Sequence, residues 1–389
     1  MAVDTPAKIA IVGAGPVGLE AALYARYLGY EVELFERRDR VAELCLPECD
    51  RPCVSPLAIQ ALSIHDPRFS AANEPSAWTA AQWRERYLRA LSRSDLVADC
   101  LQLHTEVLAI GKIQIGRTDC PTGEFDRGAW DFRLLVRSGD EERVVSADVV
   151  LDCSGVEPLP LGQGGVPAAG ESDHAVQTSG RIVASLSEEM LAGLGTSAAV
   201  LVVGVHRGGW RALDQLLKTD AQHRIVLAVP SDMASAQPHD WQAELQAALG
   251  TGRVELRRET WVDCIATTTS GRLSIGFGGD VDAMGEFDLI VAANGYWPRW
   301  WSELQLQIDP RTDCLLPLAS ALATSSSWQS PSDLVTSEPN YYVLGRKSYG
   351  RLDLYRNELG LKQIRDVFSI IGDRATLDLY EQFRPTIKR

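Results

Sequence analysis

The sequence predicts an α/β protein made of two parallel-sheet domains, the second inserted into the first. Three observations carry this. A strand, a glycine-rich turn and a helix follow one another between Ile9 and Leu28. An apolar strand leaving through a small residue and a glycine occurs twice, at 147–158 and at 287–298. Between the copies, Ala198-Ala199-Val200-Leu201-Val202-Val203-Gly204 is again an apolar strand running into glycine.

The first element sets the organisation. Ile9-Ala10-Ile11-Val12 is short, apolar and rich in β-branched residues, and it enters Gly13-Ala14-Gly15-Pro16-Val17-Gly18. Gly13 permits the tight turn, Gly15 lets backbone approach a pyrophosphate, and Gly18 lets the helix pack closely on the strand. The helix N-terminus offers unpaired N–H groups and positive partial charge to phosphates. A second strand, Glu31-Val32-Glu33-Leu34-Phe35, ends on Glu36. That acid lies roughly 20 residues past the glycines, where a carboxylate bonds a ribose hydroxyl. Strand, triplet, helix, strand and acid in register specify a dinucleotide-binding unit.

The two strand exits are Ala147-Asp148-Val149-Val150-Leu151-Asp152-Cys153-Ser154-Gly155-Val156-Glu157-Pro158 and Phe287-Asp288-Leu289-Ile290-Val291-Ala292-Ala293-Asn294-Gly295-Tyr296-Trp297-Pro298. In each, an acid precedes a buried-type strand and a proline follows the glycine. Such exits mark sheets whose chain ends meet a ligand crevice. A second βαβ unit starts at Ala198, with its next strand at Arg224 to Val229. Further strands are expected at Val107 to Ile115, Trp130 to Val136, from Val144, Val254 to Leu256 and Leu273 to Phe277. Trp78 to Leu91 has apolar residues at helical spacing. Tyr341-Tyr342-Val343-Leu344-Gly345-Arg346 reads as a last strand feeding a helix from about Asp353 to Ile371, and Ser325 to Ser337 as a mobile serine-rich loop.

The chain has 389 residues, 45% apolar and 23% charged, enough for two or three domains. Its formal net charge of −14 argues against nucleic acid and anionic membrane surfaces as partners. No apolar run is long enough to cross a bilayer, and the start lacks a signal-peptide stretch. Eight cysteines do not suggest a disulfide scaffold. The expectation is a soluble cytoplasmic protein.

One dinucleotide-binding domain interrupted by another, and completed by a late strand–Gly–helix, resembles the two-dinucleotide-binding-domain flavoproteins. These are the flavin-containing monooxygenases, N-hydroxylases and thioredoxin-reductase-like enzymes. Tyr341 to Arg351 also looks like the final segment of a branch known only as FAD-dependent oxidoreductases. The resemblance implies a Rossmann-like FAD domain, residues 1–158 and 299–389, interrupted by a smaller Rossmann-like NAD(P)-type domain, residues 159–298. It implies that Gly13, Gly15, Pro16 and Gly18 hold the FAD pyrophosphate and Glu36 and Arg37 the adenosine side. Ser154 and Gly155 would lie against the FAD, and Gly345 and Arg346 beside its flavin end. Gly204, His206, Arg207 and Gly209 would form the NAD(P) turn.

The departures bear on activity. The monooxygenase motif Phe-x-Gly-x-x-x-His-x-x-x-aromatic is matched at Gly170 and His174, but Ala168 and Thr178 replace its aromatics. In the inserted domain His206 stands where the second glycine admits a pyrophosphate, although Arg207 offers a compensating charge. Pro230-Ser231-Asp232 brings no arginine for a 2′-phosphate. NAD(P)H use is therefore open. Without it, the substrate or a redox partner protein must reduce the flavin.

Cys45, Cys49 and Cys53 are spaced by four. The disulfide-reductase branch carries a redox pair at about this distance from the first acid, with four intervening residues where this chain has three. Glu48 and Asp50 oppose thiolate formation. Structural, redox-active and metal-binding readings all stand, with no fourth metal ligand in sight. Cys100, Cys120, Cys153, Cys264 and Cys314 read as packing thiols. Trp297, Trp300 and Trp301 follow the second exit and read either as a pocket wall or as interdomain packing. Lys347, Tyr349 and Arg351 either reach the flavin or an anionic substrate, or lie on a solvated loop.

The expected function is an FAD-dependent oxidoreductase acting on a small molecule, monooxygenase-like or an oxidase. Two alternatives are a dithiol/disulfide oxidoreductase using the three cysteines and a non-enzymatic flavin-bound sensor or scaffold. No resident metal is expected, and the oligomeric state is not legible.

Overall fold

The computed structural model describes residues 3–41, 80–119, 126–204, 207–230, 247–279, 284–298, 300, 302–303, 305–307, 330–350, 355 and 357–382, with backbone only at 80, 81, 207, 208, 357 and 358. Two compact units divide the chain: Met1–Val156 with Pro298–Arg389, and Glu157–Trp297.

The first unit is built on five parallel strands. In chain order they are β1 (Lys8–Val12), β2 (Glu31–Phe35), β3 (Leu101–Gln102), β7 (Val149–Asp152) and β18 (Tyr341–Val343), arranged β18-β7-β1-β2-β3. Ile9, Ala10 and Ile11 are wholly buried, as expected for a central parallel strand covered on both faces. Helix α1 (Pro16–Tyr27) follows the glycine turn, and all residues from Val17 to Ala25 are buried. A helix that is apolar all round must be covered all round. The sheet takes one side of it, and Tyr24 stacks on Phe368 at 5.0 Å on another. Phe368 belongs to the long C-terminal helix Asn357–Ile371. The expected helix near Trp78 is found at Ala80–Ser92, with one π-helical turn at Arg84–Leu88, and it buries Trp83, Leu88 and Leu91.

Between β3 and β7 the chain makes an antiparallel sheet of β4 (Thr105–Lys112), β5 (Phe132–Ser138) and β6 (Glu141–Ala147). Along β5, Phe132, Leu134 and Val136 point inward and alternate with more exposed residues, the period-2 pattern of a half-buried sheet. A bidentate pair ties this region to the segment before β18. Arg127 Nη2 stands 2.8 Å from Glu338 Oε2 with both side chains buried.

The second unit repeats this plan. Its strands β9 (Ile182–Val183), β10 (Ala199–Val203), β11 (Arg224–Val229), β12 (Val254–Arg258) and β16 (Leu289–Ala292) are ordered β12-β11-β10-β16-β9, all parallel. Here too an antiparallel trio, β13 (Thr260–Thr267), β14 (Leu273–Gly279) and β15 (Met284–Phe287), sits between the fourth and fifth positions of the chain path. The edge strand differs. In the first unit β18 comes last in sequence, and in the second β9 comes first. A two-stranded ribbon pairs β8 (Glu157–Pro158) with β17 (Tyr296–Trp297). Helix α2 (Arg207–Lys218) is amphipathic, unlike α1. It buries Ala212, Leu213 and Leu216 and shows solvent an Asp214–Lys218 pair at 2.7 Å.

One feature departs from expectation, and for Lys347 and Tyr349 one of two alternatives is closed. Residues 330–337 are not an open loop: Ser330 and Asp333 form a capping box on a 3₁₀ turn, and Leu334 and Thr336 are buried. Lys347 and Tyr349 are not on a solvated loop either, since both are 1% exposed. Arg351 lies outside the described residues. No helix among those described is long and apolar enough to cross a membrane.

Candidate nucleotide site and the charges behind it

The candidate site lies at the C-terminal edge of the first sheet. Gly13 has φ +94°, and a Cβ there would stand 2.7 Å from the Cys153 carbonyl oxygen and 2.9 Å from Ser154 Cα. The turn therefore presses against the exit of β7, and only glycine fits. Gly18 meets the Gly13 carbonyl oxygen even more closely. Gly15 is the N-cap of α1 and has no capping side chain, Pro16 opens the helix, and no acid sits in its first turn. The helix start thus keeps its N–H groups and dipole available to an anion.

Glu36 reaches back to this turn. Its Oε2 accepts from the Ala14 N–H at 2.9 Å and its Oε1 from the Arg38 N–H at 3.1 Å. Each carboxylate oxygen has two acceptor sites, so a ribose hydroxyl can be taken without breaking the cap. Arg37 is exposed beside it. Gly345, φ +71°, packs against Val17 in the first turn of α1, and its N–H donates to Gln363 Oε1 at 2.7 Å. Gln363 Nε2 in turn donates to Ser348 Oγ at 2.6 Å. Gln363 is wholly buried, and no local pattern marks it as the residue that fixes the Gly345–Arg346 turn. The residues present fit a dinucleotide: a cradle that a Cβ would fill, a helix start free of acid, and a carboxylate at the end of β2.

Behind the turn lies a group of buried charges. Asp152 ends β7 and is 0% exposed. Its Oδ2 accepts from Lys347 Nζ and from the Tyr341 hydroxyl, each at 2.6 Å. Its Oδ1 accepts from Ser154 Oγ at 2.6 Å and from the Ser154 N–H at 3.0 Å. Lys347 Nζ also donates to Glu303 Oε1 at 2.9 Å and to Ser154 Oγ at 3.1 Å, and lies 4.4 Å from the centre of the Trp300 ring. Burial drives the Asp152 carboxyl upward, but Lys347 and the hydroxyl donors outweigh it and hold it down at about 2. Burial pulls the Lys347 ammonium down, and Asp152 first and then Glu303 more than restore it. Glu303 is raised, by burial first and then by Asp152 against the pull of Lys347. Lys347 was a candidate from sequence, while Asp152 and Glu303 were not. Asp152 looked like one more polar residue at a strand end, and Glu303 had no motif around it.

The second unit carries a similar turn. Gly204 has φ +90° and is pressed against Ala293 and Asn294, as Gly13 is against Cys153 and Ser154. A Cβ on Gly209 would stand 2.7 Å from the Gly204 oxygen. His206 lies outside the described residues, and of Arg207 only the backbone is described. The position matching Asp152 is Ala292, so this exit has no buried carboxylate. Gly170 has φ +80°, and a Cβ there would collide with the Ile265 carbonyl, so strand contact explains this glycine. His174 is exposed at the start of a short helix. Trp297 covers Gly165 within the second unit, and Trp301 lies outside the described residues.

Cys45, Cys49 and Cys53 also lie outside the described residues, as do Cys120 and Cys314. Cys100, Cys153 and Cys264 are unbridged. Burial pushes the Cys100 thiol up to about 11 and that of Cys153 well above its ordinary value. Such thiols are inert packing groups.

The fold has two units, the second interrupting the first in sequence, and each carries a glycine turn between a central parallel strand and its helix. The comparisons agree. A sequence family described as pyridine nucleotide-disulphide oxidoreductase matches residues 2–55. Bacillithiol disulfide reductase Bdr from Bacillus cereus superposes with a TM-score of 0.65 at 16% identity, over 95% of this chain and 99% of that one. The ornithine N-hydroxylase of Kutzneria sp. 744 gives 0.58 at 13% identity, over 95% and 99%. A water-forming NADH oxidase from Lactobacillus brevis, solved with NADH, gives 0.54 at 15% identity, over 94% and 69%. At these identities the likeness is one of fold. No curated protein matches the sequence.

Proposed function

We propose that this chain is an FAD-dependent oxidoreductase acting on a small molecule, by monooxygenase-like or oxidase chemistry. The observation that carries the reading is the Gly13–Gly18 turn, with Glu36 and Ser154 closed around it. Gly13, Gly15, Pro16 and Gly18 would take the pyrophosphate, Glu36 the ribose and Arg37 the adenosine side. Ser154, Gly155, Gly345 and Arg346 would lie along the rest of the cofactor. When bound, FAD supplies reversible two-electron chemistry, and the protein supplies orientation and local charge.

The test is direct. The purified protein should be yellow, or turn yellow and gain melting temperature on incubation with FAD. Glu36→Ala should weaken that binding by about ten- to a hundredfold, since a hydrogen bond to a charged group contributes about 1.5–3 kcal/mol. A protein that neither colours nor gains stability with FAD sinks the reading. Rapid mixing with NADPH and NADH then asks whether the second unit serves a nicotinamide through Gly204, His206, Arg207 and Gly209. Bleaching by neither leaves the substrate or a partner protein as reductant.

One observation favours a second reading. The pyridine nucleotide-disulphide match runs over Cys45, Cys49 and Cys53. A dithiol/disulfide oxidoreductase would lose turnover when all three become serine. Unchanged turnover in that variant excludes it.

A further inference from the structure

The charges behind the turn do not balance. One ammonium, Lys347, is shared by two carboxyl groups, Asp152 and Glu303, and the three residues are 1%, 0% and 4% exposed. Two buried carboxylates on one cation leave a net negative charge out of water, which is costly unless one of them takes a proton. The hydrogen bonds say which. Asp152 accepts four, from Lys347, Tyr341, Ser154 Oγ and the Ser154 N–H, so both its oxygens are committed as acceptors. Glu303 accepts from Lys347 and from Ser302 Oγ, at 2.9 and 2.7 Å, and both bonds fall on Oε1. Glu303 Oε2 is buried and meets no hydrogen-bond partner among the described residues. A bare buried oxygen beside a saturated one is where a proton is held.

We propose that Glu303 is the proton-holding residue of this site: it carries a proton on Oε2 at neutral pH and exchanges it, through Lys347 and Ser154, with the group that reacts in the crevice. The exchange role rests on the FAD-dependent reading above. The route runs over Glu303 Oε1: the carboxyl turns its O–H toward Lys347, Lys347 gives one proton to Ser154 Oγ as it takes that one, and Ser154 passes on the hydroxyl proton it otherwise donates to Asp152 Oδ1. Lys347 Nζ touches Glu303 on one side and Ser154 Oγ on the other, and the Ser154 backbone forms the wall against which Gly13 packs. The reductant, a nicotinamide or the substrate, gives up an electron pair with one hydrogen as hydride. The second hydrogen comes from the triad as a proton. The Glu303 O–H bond breaks, its electron pair stays on the carboxylate, and the triad passes from neutral to singly negative with Lys347 still an ammonium. Reoxidation returns the proton from the same direction. The groups facing Glu303 are Asp152 from β7, Lys347 from the 3₁₀ turn after β18, Tyr341 from β18 itself, and Ser302 beside it. Trp300 covers Lys347. The upward shift of Glu303 agrees with the geometry.

The test uses the full chain and Glu303→Gln, the neutral isostere of the protonated acid. Infrared difference spectra at pH 7 between wild type and variant should show one protonated carboxylic acid carbonyl, lost in Glu303→Gln. This arm needs no cofactor. The second arm measures the midpoint potential of bound FAD from pH 6 to 8. Loss of one proton from the two-electron couple changes its equilibrium by a factor of ten per pH unit, about 30 mV. Wild type takes that proton from the triad and not from solvent, so the Glu303→Gln slope should be steeper than wild type by that amount. Absence of the acid band overturns the proposal, and so do equal slopes. Failure of Glu303→Gln to fold also overturns it, because the variant preserves the proposed charge and shape. A protein that shows the acid band but takes up no FAD refutes the FAD reading and the exchange role, while leaving Glu303 as a protonated acid.

Discussion

Gly18 sits directly on the carbonyl oxygen of Gly13, with no room for a methyl group between them. The first turn of α1 therefore rests on the strand exit that feeds it, and the obstacle is backbone, which cannot swing aside. Gly209 stands over Gly204 in the same way, but its Cβ would be 2.7 Å from that oxygen. Gly18→Ala is expected to cost about 3 kcal/mol, the upper end for overpacking, and Gly209→Ala nearer to about 1 kcal/mol. Urea unfolding of the two variants checks the order. Equal costs would mean that the turns relax alike.

The acids that precede the two exit strands share one task. Asp148 Oδ2 accepts from the Lys8 N–H at 2.7 Å, and Asp288 Oδ2 accepts from the Ala199 N–H at 2.8 Å. Each fastens the start of a central strand to its neighbour. Asp288 also accepts from Arg272 Nε at 3.1 Å. Replacing either acid by alanine leaves a strand N–H without its acceptor, at a cost of about 1–3 kcal/mol. Asparagine keeps an acceptor and should restore much of the loss. Amide hydrogen exchange at Lys8 and Ala199 should quicken in the alanine variants, and no change at either amide would refute the role.

These examples show where the sequence was legible. Both strand-turn-helix units, and the acid–strand–glycine exits, are local patterns. Each constraint lies within a dozen residues, so composition and spacing reveal it. The buried triad is not local. Asp152, Glu303 and Lys347 are brought together by β7, a short turn and the residues after β18, and nothing in a linear pattern marks a carboxyl group as buried. Lys347 invited a solvent-exposed reading because lysine is almost always exposed unless paired. Gln363 was silent for the same reason: it acts through Gly345 and Ser348, which lie 18 and 15 residues away along the chain.

Asp152 contributes to the acid side of the stability profile. Its carboxyl is lowered from 3.8 to about 2 in the folded protein. A depressed acid contributes stability that is complete above its unfolded value and is lost as pH falls through the folded one. Its share should therefore disappear between about pH 4 and pH 2. Asp152→Asn leaves Lys347 buried with one partner fewer and should cost about 3 kcal/mol or more at pH 7. Melting temperatures of wild type and variant should converge as pH falls below 3. Curves that stay parallel through that window would contradict the assignment.

Lys112 contributes on the alkaline side. Its Nζ donates to the Trp130 carbonyl at 2.7 Å and lies 3.5 Å from the centre of the Phe132 ring, with the side chain 5% exposed. Burial pulls it down from 10.5 to about 8, against the attraction of Glu338. The folded protein then releases this proton before the unfolded chain does. Between about pH 8 and 10.5 the unfolded state binds more protons, so stability from this group rises with pH. The full span corresponds to about 3 kcal/mol by linkage. Lys347 acts in the opposite sense only above 10.5, because its folded value is raised. Lys112→Met should thus be as stable as wild type or more so at pH 7, despite the lost bond to Trp130. Wild type should gain on the variant between pH 8 and 9.5, because the raised Cys100 and Cys153 thiols, which cost stability as pH rises past 9, do so equally in both proteins. Urea unfolding midpoints at pH 7, 8.5 and 9.5 measure both, and a variant whose midpoints run parallel to wild type would show that the ammonium is not penalised where it lies.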